Sequence, residues 1–365
     1  MGCAVVLACL SFLLLCALLP ATDALGFTCT AQPEATCQAL VGYISPNTTT
    51  LKSIQSLFGV KHLRSLLAAN NLSPTTLPTA TVQATDTVII PFTCRCSNGS
   101  GISDRSPVYT VQKDDGLYYI AAAVFSYLVV YQDIQLVNRI ENASLIYIGQ
   151  ELWIPLPCSC DQVDGEKTVH YAHVVAEGST VEEIATEFGV LEQTLLDLNG
   201  LASPNALMAY QAFDVPLKAC TSKIRNDSLD ASLLVPGGTY ALTANNCVKC
   251  SCNSAYNWTL QCHPLEIALS SDSSCPPMQC SDALSIGNTT TTSCNSTACS
   301  YAGYTSQNAI LTDLETKSTC PAPPPSPGLS PNGNGNNHAA KTDIGMFGWN
   351  FLVTAMSILL SVQRI

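Results

Sequence analysis

Apolar residues recur at helical spacing in three separate stretches of the chain, and each stretch closes on a short β-prone run. In the first, Leu51, Ile54, Leu57 and Phe58 share a helical face, Leu63, Leu66 and Leu67 share another, and TVIIP (87–91) reads as a strand. In the middle stretch Leu117, Ile120, Ala121 and Val124 form one face, Ile134, Val137 and Asn138 fall on a second helix, and ELWIP (151–155) closes the pattern. In the third, Val181, Ile184, Ala185 and Phe188 form the buried stripe of a helix opened by a capping box read at Ser179–Glu182. Residues 43–91, 109–155 and 171–216 are thus expected to be three copies of one strand–helix–helix–strand unit. Asn70 follows Phe58 by twelve residues and Asn199 follows Phe188 by eleven, while the middle copy inserts Ser126-Tyr127-Leu128 between its helices.

Units this small bury little surface and are marginal alone, so cross-links are expected to supply what their cores lack. Of 19 cysteines, Cys3, Cys9 and Cys16 lie in the first 24 residues, and the remaining sixteen form an even set that reads as a disulfide framework. Cys94 and Cys96 stand before the middle unit and Cys158 and Cys160 after it, each expected to reach a different neighbour. Spacing alone leaves the pairing open. Residues 220–320 carry ten cysteines among Ser, Thr and Asn, predicting a fourth, disulfide-rich module of strand and loop; Cys247-Val-Lys-Cys250-Ser-Cys252 is read as disulfide, not zinc or redox chemistry. The expected fold class is α+β.

The ends shift the setting to the cell exterior. Residues 1–24 read as a secretory signal peptide. A Pro/Gly/Asn linker (321–343) precedes an apolar tail (344–365), the pattern of a GPI-attachment signal, with Asn334 the preferred attachment residue and Asn332 or Asn337 the alternatives. A single membrane-spanning tail is the rival, less favoured reading. Sequons begin at Asn47, Asn71, Asn98, Asn142, Asn226, Asn257, Asn288 and Asn295, candidate glycosylation sites of a secreted chain. A net charge of −12 with only 12% charged residues lacks the basic footprint of a nucleic-acid binder and suits an uncharged ligand.

YTVQKDDGLYYIA (109–121), LVNRI (136–140) and GQELWIP (149–155) resemble the LysM module. With FTC (27–29), PFTCRC (91–96), WIPLPCSCD (153–161) and NCVKCSC (246–252), the whole arrangement resembles the plant LysM-domain GPI-anchored receptor-like proteins. That resemblance implies non-catalytic recognition of chitin (N-acetylglucosamine) oligosaccharides in plant innate immunity, on the extracellular face of the plasma membrane. It implies no cofactor, membrane attachment through the anchor, a transmembrane LysM receptor kinase as signalling partner, and pairing into a homo-oligomer. Carried onto the middle unit, the ligand-binding segments are Leu117, Tyr118, Tyr119, Ile120, Ala121, Ala122 and Ala123, with Leu145, Ile146, Tyr147, Ile148, Gly149, Gln150, Glu151 and Leu152. Backbone amides near Gly149 would meet the N-acetyl carbonyl and Ala, Ile and Leu side chains its methyl. The family's disulfides would join Cys29 to Cys96, Cys37 to Cys160 and Cys94 to Cys158.

Plainer readings stand beside these. Ile120 aligns with Ile54 and Ile184 and is favoured as core; Tyr147 is the preferred stacking residue, and Trp153 is assigned to the core. His170 and His173 are read as ordinary surface histidines without a metal-ligand pattern, and Asp114-Asp115 as a helix N-cap. The chain shows no HExxH, no GxSxG and no paired-carboxylate hydrolase motif, so no catalytic residue is assigned. Peptidoglycan recognition, a wall-targeted enzyme and a structural wall glycoprotein remain the alternatives.

Overall fold

The computed structural model describes residues 25–320 apart from 33, 221–222, 266–274, 282–283, 308 and 319. The expected signal peptide, linker, apolar tail and Asn334 lie outside the described residues. No helix among those described is long and apolar enough to cross a membrane.

The strands of the first and third stretches merge into one seven-stranded sheet. At its centre Thr36–Ile44 pairs antiparallel with Thr87–Ser97 and parallel with Thr168–Val174, which in turn pairs antiparallel with Ala212–Cys220. The middle unit stays outside this sheet as a two-stranded ribbon, Val108–Thr110 against Glu151–Trp153. Residues 220–320 form short antiparallel sheets, among them Tyr240–Thr243, Val248–Ser251 and Gln261–Pro264.

One polar device recurs three times. The second helices, Leu63–Ala69, Tyr131–Val137 and Glu192–Leu198, end on Asn70, Asn138 and Asn199. Each asparagine amide donates both to a carbonyl of its own last turn and to the closing strand, while its oxygen accepts from that strand. For Asn138 the three bonds, to Ile134 O, to Trp153 O and from Trp153 N, measure 2.8, 2.8 and 2.9 Å. A single side chain thus satisfies an orphan helix carbonyl and fixes strand register. A side-chain amide offers two N–H donors and an acceptor oxygen from one short side chain, and the same residue type stands at all three places.

The first two units share one apolar core that also takes in Ala172 and Val174. Tyr43, Phe58, Phe125 and Tyr109 stack edge to face in succession across it, with centroids 5.0, 5.5 and 5.9 Å apart. The third unit packs mainly on itself with Leu40 and Ala69 of the first. The units therefore solve the size problem by pooling their cores as well as by cross-linking. Beyond its ribbon the middle unit is stitched back to Ser100–Ser103: Ser103 Oγ donates to Ile154 O and accepts from Leu156 N, and Cys158 N donates to Gly101 O at 3.0 Å. A Cβ on Gly101 would fall 2.2 Å from the Cys158 carbonyl oxygen, so only glycine permits this approach.

All sixteen cysteines from Cys29 to Cys320 are paired. Cys29–Cys96, Cys37–Cys160 and Cys94–Cys158 converge between the units. Cys94 and Cys96 are two residues apart on a strand and face the same, buried side, with Arg95 turned away. They reach different neighbours because Cys29 and Cys158 lie side by side over that face. Cys247, Cys250 and Cys252 each join a separate partner, Cys275, Cys262 and Cys220.

Four local readings are corrected. His170 is 1% exposed, because its strand is interior to the sheet. Its Nδ1 lies 2.9 Å from the Asp214 carboxylate and its Nε2 3.0 Å from the Asp161 carbonyl, partners too distant in sequence for a spacing motif. His173, one strand face over, is half-buried against Phe188. The capping box sits one residue later than read, with Thr180 and Glu183 as its members (3.0 and 3.2 Å). Gly116, not Asp114 or Asp115, is the middle unit's N-cap; the Asp115 carboxylate instead accepts from Gln112 N and the Tyr109 hydroxyl. Trp153 is half-buried, its Nε1 3.4 Å from Ser103 Oγ.

Two outcomes follow from these contacts. Asn138→Ala should cost about 1–3 kcal/mol for each buried group it strands, read as a lowered denaturant midpoint; an unchanged midpoint would show that the amide holds nothing. Burial opposes the charged form of His170, but the hydrogen bond and charge of Asp214, aided by the Asp161 carbonyl, raise its pKa overall. A raised folded pKa gives stability that is complete below the unfolded value of about 6.5 and fades as pH rises through the folded value. Stability measured across that window should therefore decline toward alkaline pH, and His170→Gln should flatten the decline.

Candidate ligand surface on the middle unit

The helix opening the middle unit begins as Leu117–Tyr119 and widens into a π-helical turn over Ile120–Val124. Phe125 N donates to Ile120 O, five residues back, and Tyr127 N to Ala121 O. The widening absorbs the inserted Ser126-Tyr127-Leu128, whose Ser126 hydroxyl donates to Ile44 O at 2.6 Å. Ser126 and Tyr127 take the left-handed conformation there, at φ 50° and 61°.

This geometry divides the candidate residues into two sets. Leu117, Ile120, Ala121 and Leu152 are buried in the shared core and cannot touch a ligand. Ala122, Ala123, Ile146 and Gln150 are half-buried, and Gly149 and Glu151 are exposed. Tyr118, Tyr119, Leu145, Tyr147 and Ile148 are between 54% and 69% exposed, an unusual density of large apolar side chains on two short segments.

The loop's backbone corrects the expected donor. Gly149 N is already committed to Val111 O at 2.9 Å, Gln150 N to Tyr147 O, and Tyr147 N to the Gln150 side chain. The amides of Ile146 and Ile148 make no backbone hydrogen bond among the described residues and are the ones left to meet a ligand carbonyl. Gly149, at φ 85°, supplies the left-handed turn that lets the loop fold back on Val111.

The equivalent loop positions in the flanking units are Thr85 and Tyr210, whose amides bond Ser45 O and Val175 O in the same way. Both hold positive φ without being glycine. Tyr210 packs on Tyr127 with centroids 5.0 Å apart, and the neighbouring Tyr118 hydroxyl raises the Tyr127 phenol's pKa. Tyr118 in turn lies edge-on to Tyr131 at 6.5 Å. An aromatic strip therefore leads from the middle unit toward the third, which spacing could not reveal because it depends on the insertion. All eight sequon asparagines are exposed.

The LysM domain model matches residues 109–155 and 173–216. Over 290 residues the chain is 49% identical to LysM domain-containing GPI-anchored protein 2 of Arabidopsis thaliana, covering 79% of this chain and 81% of that one. It is 42% identical over 301 residues to the chitin elicitor-binding protein of Oryza sativa subsp. japonica, covering 81% and 83%. Among solved structures, the ectodomain of a receptor like kinase aligns at 21% identity over 51% of this chain and 94% of that one, with a TM-score of 0.43.

Proposed function

The chain belongs to the plant LysM-domain GPI-anchored proteins, and from that premise we propose that it binds chitin oligosaccharides at the outer face of the plasma membrane without cleaving them. The observation that carries the reading is the pairing of exposed apolar side chains with uncommitted amides on the middle unit. An N-acetylglucosamine unit asks for a donor to its carbonyl, which Ile146 N and Ile148 N supply. It asks also for a small apolar seat for its methyl, supplied by Ala122, Ala123 and Ile148, and for a ring face, supplied by Tyr147.

The two relatives compared above are named as an anchored protein and a chitin elicitor-binding protein. A shallow face of this kind holds each sugar weakly, so affinity grows with oligomer length and with the pairing of two receptors on one chain. A lipid anchor carries no segment through the bilayer. Signalling inward then requires a membrane-spanning partner, for which a LysM receptor kinase is the fitting class.

Calorimetric titration tests this. Chitin oligomers should bind with affinity that rises with length, and Tyr147→Ala should weaken binding about tenfold, or about 1.4 kcal/mol, with the melting temperature unchanged. Ile120→Ala should instead destabilise the fold by about 2–5 kcal/mol. Saturable binding of muropeptides without a chitin response would assign the face to peptidoglycan.

A further inference from the structure

A groove of about 1050 Å³ lies between the first unit's second helix and the Cys-rich module. The Tyr240 hydroxyl donates to Leu72 O at 2.6 Å and ties the two walls together. Leu63 and Leu67 on one wall and Leu233 and Leu234 on the other give it an apolar floor, while Thr75, Thr239 and Asn246 add hydroxyl and amide groups. Its size is at the top of the ~300–1,000 Å³ range of ordinary ligand sites.

Its charge runs against the rest of the molecule. The chain has 15 Lys and Arg against 27 Asp and Glu, yet Lys61, His62 and Arg64 line one wall. Neither Lys61 nor Arg64 forms an ion pair among the described residues, so both are free to meet a ligand anion. Arg64 is moreover half-buried, where an uncompensated cation is costlier. Asp230, the acid lining the groove, is already engaged: its carboxylate accepts from Thr243 Oγ1 at 2.6 Å, from the Tyr301 hydroxyl at 2.7 Å and from Ser228 Oγ. Lys249 adds a further positive charge, its ammonium 4.3 Å from the centroid of the Tyr240 ring that lines the groove.

We propose that this groove is a second carbohydrate site, specific for an acidic oligosaccharide with carboxylates on successive rings. A bare phosphate would leave most of the volume empty. Sugar rings fill it against the leucine floor, their hydroxyls meet the threonines and asparagine, and carboxylates meet Arg64 and Lys61. The chain's own linker, residues 321–343, carries a single acid, Asp343, and so lacks carboxylates at successive positions.

The test titrates the full chain with oligogalacturonate, its carboxyl-reduced neutral counterpart, oligoglutamate and a chitin oligomer. Oligogalacturonate should bind with an affinity that falls as salt rises, and Lys61→Ala with Arg64→Ala should weaken it at least tenfold while leaving the melting temperature and the chitin titration unchanged. Arg64→Lys should recover part of the loss, and Lys61→Glu, at an exposed position, gives the same readout should the double variant fold poorly. Equal binding of the neutral oligomer, tighter binding of oligoglutamate, an unaffected variant, or no binding of oligogalacturonate would each overturn the proposal. The chitin arm, read on the same sample, reports separately on the middle unit.

Discussion

Three disulfides between the units set the conditions under which the rest of the described residues work. Cys29–Cys96, Cys37–Cys160 and Cys94–Cys158 close loops of 67, 123 and 64 residues. On the chain-entropy account each removes about 4 kcal/mol of unfolded-state freedom. The middle unit shares no continuous sheet with its neighbours, so these bridges and the Ser103 and Gly101 bonds, together with the core it shares with the first unit, fix its attitude. Sulfur here replaces the extended backbone pairing that joins the first and third units.

That division explains why the middle unit presents the proposed ligand surface. A unit folded into the large sheet has its closing strand occupied on both edges, as Thr87–Ser97 does. A unit held by bridges at its base leaves its helix start and its last loop facing outward. Tyr119, Tyr147 and Ile148 stay exposed because the residues beside them, Leu117, Ile120 and Leu152, already complete the core. Framework and surface alternate along the same two segments.

The helical stripes were legible because burial imposes a period: Leu51 and Ile54, or Val181 and Ile184, sit where a core-facing helix must put them. The recurring asparagines could be seen as spacing, though not as clamps, since their work depends on a strand 15 or 19 residues away. His170 was misread for the same reason, its carboxylate partner lying 44 residues along the chain. The π-helical turn, the commitment of Gly149 N and the Tyr127–Tyr210 contact all come from how the insertion packs. Local pattern reports periodicity; it does not report which hydrogen bonds are already spent.

The parallel pairing of Thr36–Ile44 with Thr168–Val174, together with Cys37–Cys160, has a consequence for biosynthesis. As the chain emerges from the N-terminus, Cys29 can meet Cys96 early, but Cys37 and Cys94 lack their native partners until residues 158 and 160 appear. For that interval Cys94 and Cys96 stand on one face, both able to reach Cys29 or Cys37. Reaching the native set therefore asks for bridges to be reshuffled as well as formed, the thiol–disulfide exchange that an oxidising lumen supports.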